Sequence, residues 1–159
     1  FAMVPKTVDG VPAHPLIIHI PVMLGPLVGL LCVLMLVPRW RSFLAPWTAI
    51  LGVLLAISAI VAVKSGQNFL AVLQLGDAIE KHEHAGELLR TMTIVLAVVL
   101  IVFYVATRRL DPKFVTVGAL IVAVLGVVET AQVIKTGHEG ASLVWKDRYQ
   151  EAAKLQNGG

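Results

Sequence analysis

Five histidines carry most of the chemistry available to this chain: His14, His19, His82, His84 and His138. Neutral imidazole is a strong ligand for haem iron and for zinc, copper or iron ions. Haem b needs one or two axial imidazoles from facing helices and an apolar slot. His19 and His84 lie in different segments, as an axial pair must, and are the expected ligands. His14, His82 and His138 then serve as alternates or as support for that pair. A bare metal ion needs three or four donors within ~2.0–2.2 Å. His82-x-His84 with His19, His138 or Glu87 would supply such a set. Neither pattern has a spacing code comparable to His-Glu-x-x-His. The plainer alternative is that these imidazoles cap helix ends and tie the ends of the chain to a loop.

Acidic and basic residues accompany them. Glu83 and Glu87 are four apart and share a helix face, as do Glu80 and His84. Glu129 lies inside a long apolar run, and an ionisable residue in such a place is a functional hypothesis by default. Its structural alternative is an ion pair with Lys64 or Arg90, both expected at a similar depth. Lys64, Arg90 and Lys135 would also be placed to neutralise haem propionates, with Glu87 and Glu129 tuning the local charge. No nucleophile–base pair and no glycine-rich phosphate loop is present, so hydrolytic catalysis is not expected. Cys32 is the one cysteine. It has no partner for a disulfide, no Cys-x-x-Cys-His allows covalent haem attachment, and its apolar setting marks it as packing.

The elements that must position these groups are membrane helices. The 159 residues are 57% hydrophobic and 14% charged, with a mean hydropathy of +0.83. Soluble domains have roughly 45–50% apolar and ~25% charged residues, and a chain of this size has too little interior to hide the excess. The net charge of +3 does not point to nucleic acid. The basic residues flank apolar runs, where they orient membrane proteins, and none forms a phosphate-binding patch.

Residues 1–15, with Pro5, Gly10, Pro12 and Pro15, read as an irregular leader. Met3 is a candidate native start, and the first apolar run is too long, without a small-residue cleavage site, to be a cleavable signal peptide. A four-span membrane domain over 16–145 follows, with spans at about 16–37, 43–63, 88–106 and 114–133. Residues 146–159 form a polar tail. Each span matches the roughly 20 residues that cross a ~30 Å hydrocarbon core. Gly25-Pro26 predicts a kink in the first span, and Gly25-x-x-x-Gly29 a groove for a neighbouring helix. Gly52, Ala56, Ala59 and Ala62 mark a small face on the second. The apolar stretch 69–76 either extends the second helix or lies flat at the surface. The charged stretch 77–90 leads as helix into the third span.

The short loops 38–42 and 107–113 carry Arg39, Arg41, Arg108, Arg109 and Lys113. By the positive-inside rule these loops are cytoplasmic. Both termini then lie outside, periplasmic if the membrane is a bacterial inner membrane. His14, His19, His82, His84 and His138 all fall near the outer face in this topology.

The opening His14-Pro15-Leu16-Ile17-Ile18-His19-Ile20-Pro21 resembles that of a widespread bacterial group of four-helix membrane proteins, a domain of unknown function with a His-Pro-x-x-x-His-Phe-Pro signature. Ile20 stands here for the usual Phe. A His near the start of the third span is similar to His82 or His84. A closing glycine-rich turn with an apolar–aromatic pair is similar to Thr136–Trp145. The resemblance covers about residues 14–148 and departs at Lys146-Asp147-Arg148, where a glycine-rich segment is usual. Some relatives are fused to Rieske-type iron–sulfur domains, which implies a place in electron transfer.

The expectation is therefore an all-α four-helix transmembrane bundle, N-out and C-out, in contact with the lipid bilayer. Its expected role is a b-type haem-binding, cytochrome-like subunit. Such a subunit would pass electrons near the outer face between a redox partner and a quinone or oxidase-type complex. The alternatives are a non-catalytic accessory subunit of a larger membrane complex and an outer-face zinc, copper or iron site.

Overall fold

The computed structural model describes residues 5–73 and 77–157, without the side chains of 69–73, 77, 78, 147 and 157. Within residues 5–12 the chain forms a small hairpin. Strand β1 (Thr7–Val8) pairs antiparallel with β2 (Val11–Pro12), with Thr7 opposite Pro12 and Val8 opposite Val11. Asp9 and Gly10 turn the chain with φ of 48° and 80°. This is the two-residue turn that Asp-Gly favours, because both positions need positive φ.

The hairpin hands the chain directly to helix α1 (Ala13–Ile17), and after a slight break at Ile18 the path continues as α2 (His19–Leu34). The first span thus starts and ends about three residues earlier than its hydropathy suggests. Val37 lies outside both helices, since the residue before a proline is pushed out of the helical region. Pro38 then serves as the first residue of α3 (Pro38–Leu73), where its missing N–H costs nothing. Helix α4 spans Asp77–Arg109, and its charged first turns are helical as the sequence suggests. Of the apolar stretch 69–76, the described part extends α3 and the rest lies outside the described residues.

Helix α5 (Pro112–Asn157) is the largest departure from the expected spans. It runs unbroken through Gly137 and Gly140 and on through the polar tail. No proline follows Pro112, and Glu151-Ala152-Ala153-Lys154-Leu155-Gln156 are strong helix formers. About 69 Å of helix results, more than twice the hydrocarbon thickness.

Around the bundle the neighbours run α2, α3, α4, α5 and back to α2, which leaves α2 and α4 on one diagonal and α3 and α5 on the other. All four of these helices are long and apolar enough to cross a membrane, counting α1 with α2. Their apolar side chains mostly face outwards: Met23, Phe43, Phe114 and Val124 are all well exposed. That surface suits lipid rather than water. The fold is an all-α four-helix transmembrane bundle.

The core-facing residues, buried along most of the bundle and half-buried towards the ends where the histidines lie, form four stripes at alternating spacings of four and three, the pattern of left-handed helix packing. They run from His14 through Ile18, Pro21, Gly25, Val28 and Cys32 to Met35; from Arg41 through Ala45, Thr48, Gly52, Leu55, Ala59 and Ala62 to Gly66; from His82 through Gly86, Leu89, Thr93, Leu96 and Leu100 to Phe103; and from Val115 through Ala119, Val122, Gly126, Glu129, Val133 and Thr136 to Gly140. Large side chains such as Met35, Leu100 and Phe103 fill the end near the short connections 35–37 and 110–111. Small residues dominate the other end, termed here the leader end.

Candidate functional site

The last layer of the stripes at the leader end is built from His14 of α1, Gly66 of α3, His82 of α4 and Gly140 of α5. Histidine and glycine alternate around the bundle. The two imidazoles come from opposite corners, since α1 continues into α2. A Cβ added at Gly66 would lie 3.0 Å from His14 Cε1, and one at Gly140 would lie 2.8 Å from His82 Cε1. Only glycine lets the backbone of α3 and α5 come so near the rings.

Ring orientation is set from α3. His14 Nδ1 lies 3.1 Å from the Ala62 carbonyl oxygen and 2.9 Å from Ser65 Oγ. Ser65 Oγ itself donates to the Ala62 oxygen at 2.7 Å. A carbonyl only accepts, and the hydroxyl proton is already committed, so Nδ1 carries the proton and donates. In the neutral ring the lone pair then belongs to Nε2.

His82 is half-buried, and its Nδ1 is buried without a hydrogen-bond partner. An orphaned buried nitrogen needs an explanation, and an absent ligand is one. The rings of His14 and His82 lie within electrostatic reach of each other, and His82 within that of Glu139. Beneath them Gln132 Nε2 meets the Ala85 carbonyl at 3.5 Å and Thr136 Oγ1 at 3.3 Å, tying α5 to α4.

His19, His84 and His138 are exposed, and Glu87 is half-buried. The structure thus brings His14 and His82 together, and not His19 and His84. The reason is helical phase. His82 and His84 are two residues apart and point to opposite sides of α4, and only His82 continues the stripe of Leu89, Thr93 and Leu96. His14 likewise continues the stripe of Pro21 and Gly25, while His19 does not. Stripe phase, carried past the ends of the apolar runs, was the signal in the sequence. Among the described residues, no group of three or more His, Cys, Asp or Glu is placed to hold a metal ion.

A second feature lies three layers further in. Glu129 is 1% exposed, and neither carboxyl oxygen has a hydrogen-bond partner. The ion pair that Lys64 or Arg90 would have supplied is not made. Glu129 forms part of the wall of a cavity of about 140 Å³ between α4 and α5, lined also by Thr91, Met92, Val95, Leu96, Leu125 and Val128. Val95 and Val128 are about half exposed on the lipid-facing surface. The Thr91 hydroxyl donates back to the Glu87 carbonyl at 3.0 Å.

A family model described as "Predicted membrane protein (DUF2231)" matches residues 10–153. No curated protein and no solved structure matches the chain.

Proposed function

The chain belongs to this family of predicted membrane proteins, and on that premise we propose that it is a b-type cytochrome-like subunit, holding haem between His14 and His82 at the leader end of its bundle. The observation that carries the reading is the layer in which these histidines alternate with Gly66 and Gly140. Three features fit the group. Two imidazoles come from opposite corners of the bundle, a glycine lies against each ring, and one buried ring nitrogen lacks a partner. A bare ion would want three or four protein donors. A macrocycle brings four nitrogens of its own and needs only two.

When bound, haem supplies a one-electron ferric/ferrous couple. The chain's own residues orient and shield. Ala62 and Ser65 hold the His14 ring through its Nδ1. Gly66 and Gly140 keep side chains out of the layer, and Ile18, Ala62, Gly86 and Thr136 floor it with small or apolar groups. Lys64 and Lys135 are the cations suited to the propionates, and Arg90 and Glu129 bear on the potential from further in. Arg39, Arg108, Arg109 and Lys113 at the other end are all exposed, which supports a cytoplasmic position for the short connections. The haem layer would then face the outside of a bacterial inner membrane, where a redox partner docks.

A reduced-minus-oxidised visible spectrum of the purified protein, after growth with ample haem, tests this. The wild type is expected to show an α-band near ~560 nm. The band is expected to vanish in His14→Ala and His82→Ala and to persist in His19→Ala and His84→Ala. A colourless wild-type protein would end the cytochrome reading. Loss of the band only in the His19 and His84 variants would return the ligands to the exposed pair.

A further inference from the structure

Cations gather at the end of the bundle that carries the short connections. Arg39, Arg108, Arg109 and Lys113 are all exposed there, beside one exposed acid, Asp111. Two of the four are engaged: Arg39 lies over the Trp40 ring at 5.1 Å and Arg108 over that of Tyr104 at 5.5 Å. Arg109 and Lys113 make no hydrogen bond, ion pair or ring contact among the described residues. We propose that this second pair, on either side of the connection 110–111, binds the phosphodiester of one anionic phospholipid whose acyl chains lie along α4 and α5. The site is at the opposite end of the bundle from the haem layer and stands whether or not His14 and His82 hold haem.

Position selects a lipid. Arg109 is the last residue of α4 and Lys113 the second of α5. Their Cα atoms are at most ~14 Å apart along the chain, a gap that two long side chains with a phosphate between them can close. Residues three and four apart share a helix face. Behind Arg109 that face of α4 presents Val105, Val102 and Val98, and behind Lys113 that of α5 presents Val117, Ile121 and Val124. All six are half exposed or more. The two helices pack side by side, so both tracks lead from a cation towards the bilayer centre on neighbouring elements. Each track is about 16 Å long, the depth of one leaflet of a ~30 Å hydrocarbon core. Two cations heading two apolar tracks complement one phosphate heading two acyl chains. Charge selects the headgroup. Arg108, Arg109 and Lys113 against Asp111 leave +2 at this connection. A net anionic headgroup is drawn to that charge, whereas a zwitterionic one brings an ammonium that the same cations repel. A free phosphate would find the cations but leave the tracks uncovered.

The test is native mass spectrometry of the whole chain in detergent micelles, titrated with dioleoyl phosphatidylglycerol or dioleoyl phosphatidylcholine. The first phosphatidylglycerol is expected to bind about tenfold more tightly than phosphatidylcholine. Arg109→Gln with Lys113→Gln is expected to abolish that preference and to leave phosphatidylcholine binding unchanged. Arg39→Gln with Arg108→Gln removes the same charge from the same end and is expected to keep most of the preference, because those guanidinium groups are held on rings. Glycerol phosphate carries the anion without the chains and is expected not to displace the lipid. Three results would overturn the proposal: equal affinity for the two lipids, equal loss of preference in the two double variants, or displacement by glycerol phosphate. The second would mark a diffuse field of charge and the third a plain anion site. The haem band is read separately, so failure of either reading leaves the other intact.

Discussion

Arg41 shows how one side chain can take a role that its charge alone does not suggest. In sequence it is one of two arginines beside Trp40 at a membrane interface. In the structure it is 7% exposed, unlike Arg39, which stacks over the Trp40 ring at 5.1 Å. Its Nε donates to the Met35 carbonyl at 2.7 Å and its Nη2 to that of Leu36 at 3.1 Å, while Nη1 donates to Thr116 Oγ1 at 2.9 Å. It therefore satisfies carbonyls left open where α2 ends and joins α3 and α5 there. Arg41→Ala is expected to cost about 3 kcal/mol, since it strips a buried charged donor from three acceptors. Arg41→Lys should recover less than half, because a lysine lacks the planar fork. Reversible unfolding in mixed micelles measures both, and a cost below ~0.5 kcal/mol would reduce Arg41 to an interface charge.

At the scale of elements, close approach of α2 and α5 sets the register that the site depends on. A Cβ at Gly25 would meet Val133 Cγ2 at 2.7 Å, and one at Gly29 would collide with the Thr130 hydroxyl and lie 2.8 Å from the Gly126 carbonyl. A Cβ at Gly126 would lie 2.7 Å from Cys32 Cβ and 3.3 Å from Gly29 Cα. Small residues let membrane helices gain dispersion contacts where no hydrophobic effect drives them together. The Gly25-x-x-x-Gly29 groove read from the sequence is therefore occupied, and by the last helix rather than the next one. Gly126→Val is expected to push α2 from α5 and to destabilise the bundle by more than ~2 kcal/mol. Gly118→Ala meets only the Phe103 ring, at 3.1 Å, and should cost less than half as much. Equal unfolding midpoints for the two variants would show that the seam tolerates separation.

For the whole molecule, α5 is the outlier. Its last turns, residues 146–157, are helical but almost wholly exposed where described. They contribute little to the bundle, and a chain ending at Trp145 is expected to unfold within ~0.5 kcal/mol of the full length. A larger loss, read as the shift in unfolding midpoint, would mean that the tail packs on the bundle. The opposite holds for the N-terminal hairpin. Through the Ala13 amide bonded to the Lys6 carbonyl at 3.0 Å, it sets where α1 starts and hence the phase of His14.

The sequence by itself determined four membrane helices, from run lengths and flanking charges, because lipid leaves every spanning backbone group to be satisfied within a helix. It also held the phase of each stripe, which selects His14 over His19 and His82 over His84, and the Asp9-Gly10 turn. Only the tertiary structure decided which stripes meet and at what height. That register comes from contacts between residues about a hundred apart, such as Gly25 with Val133, and no local periodicity encodes it. The same packing decided that histidine and glycine alternate in one layer, and that Glu129 is buried without a hydrogen-bond partner.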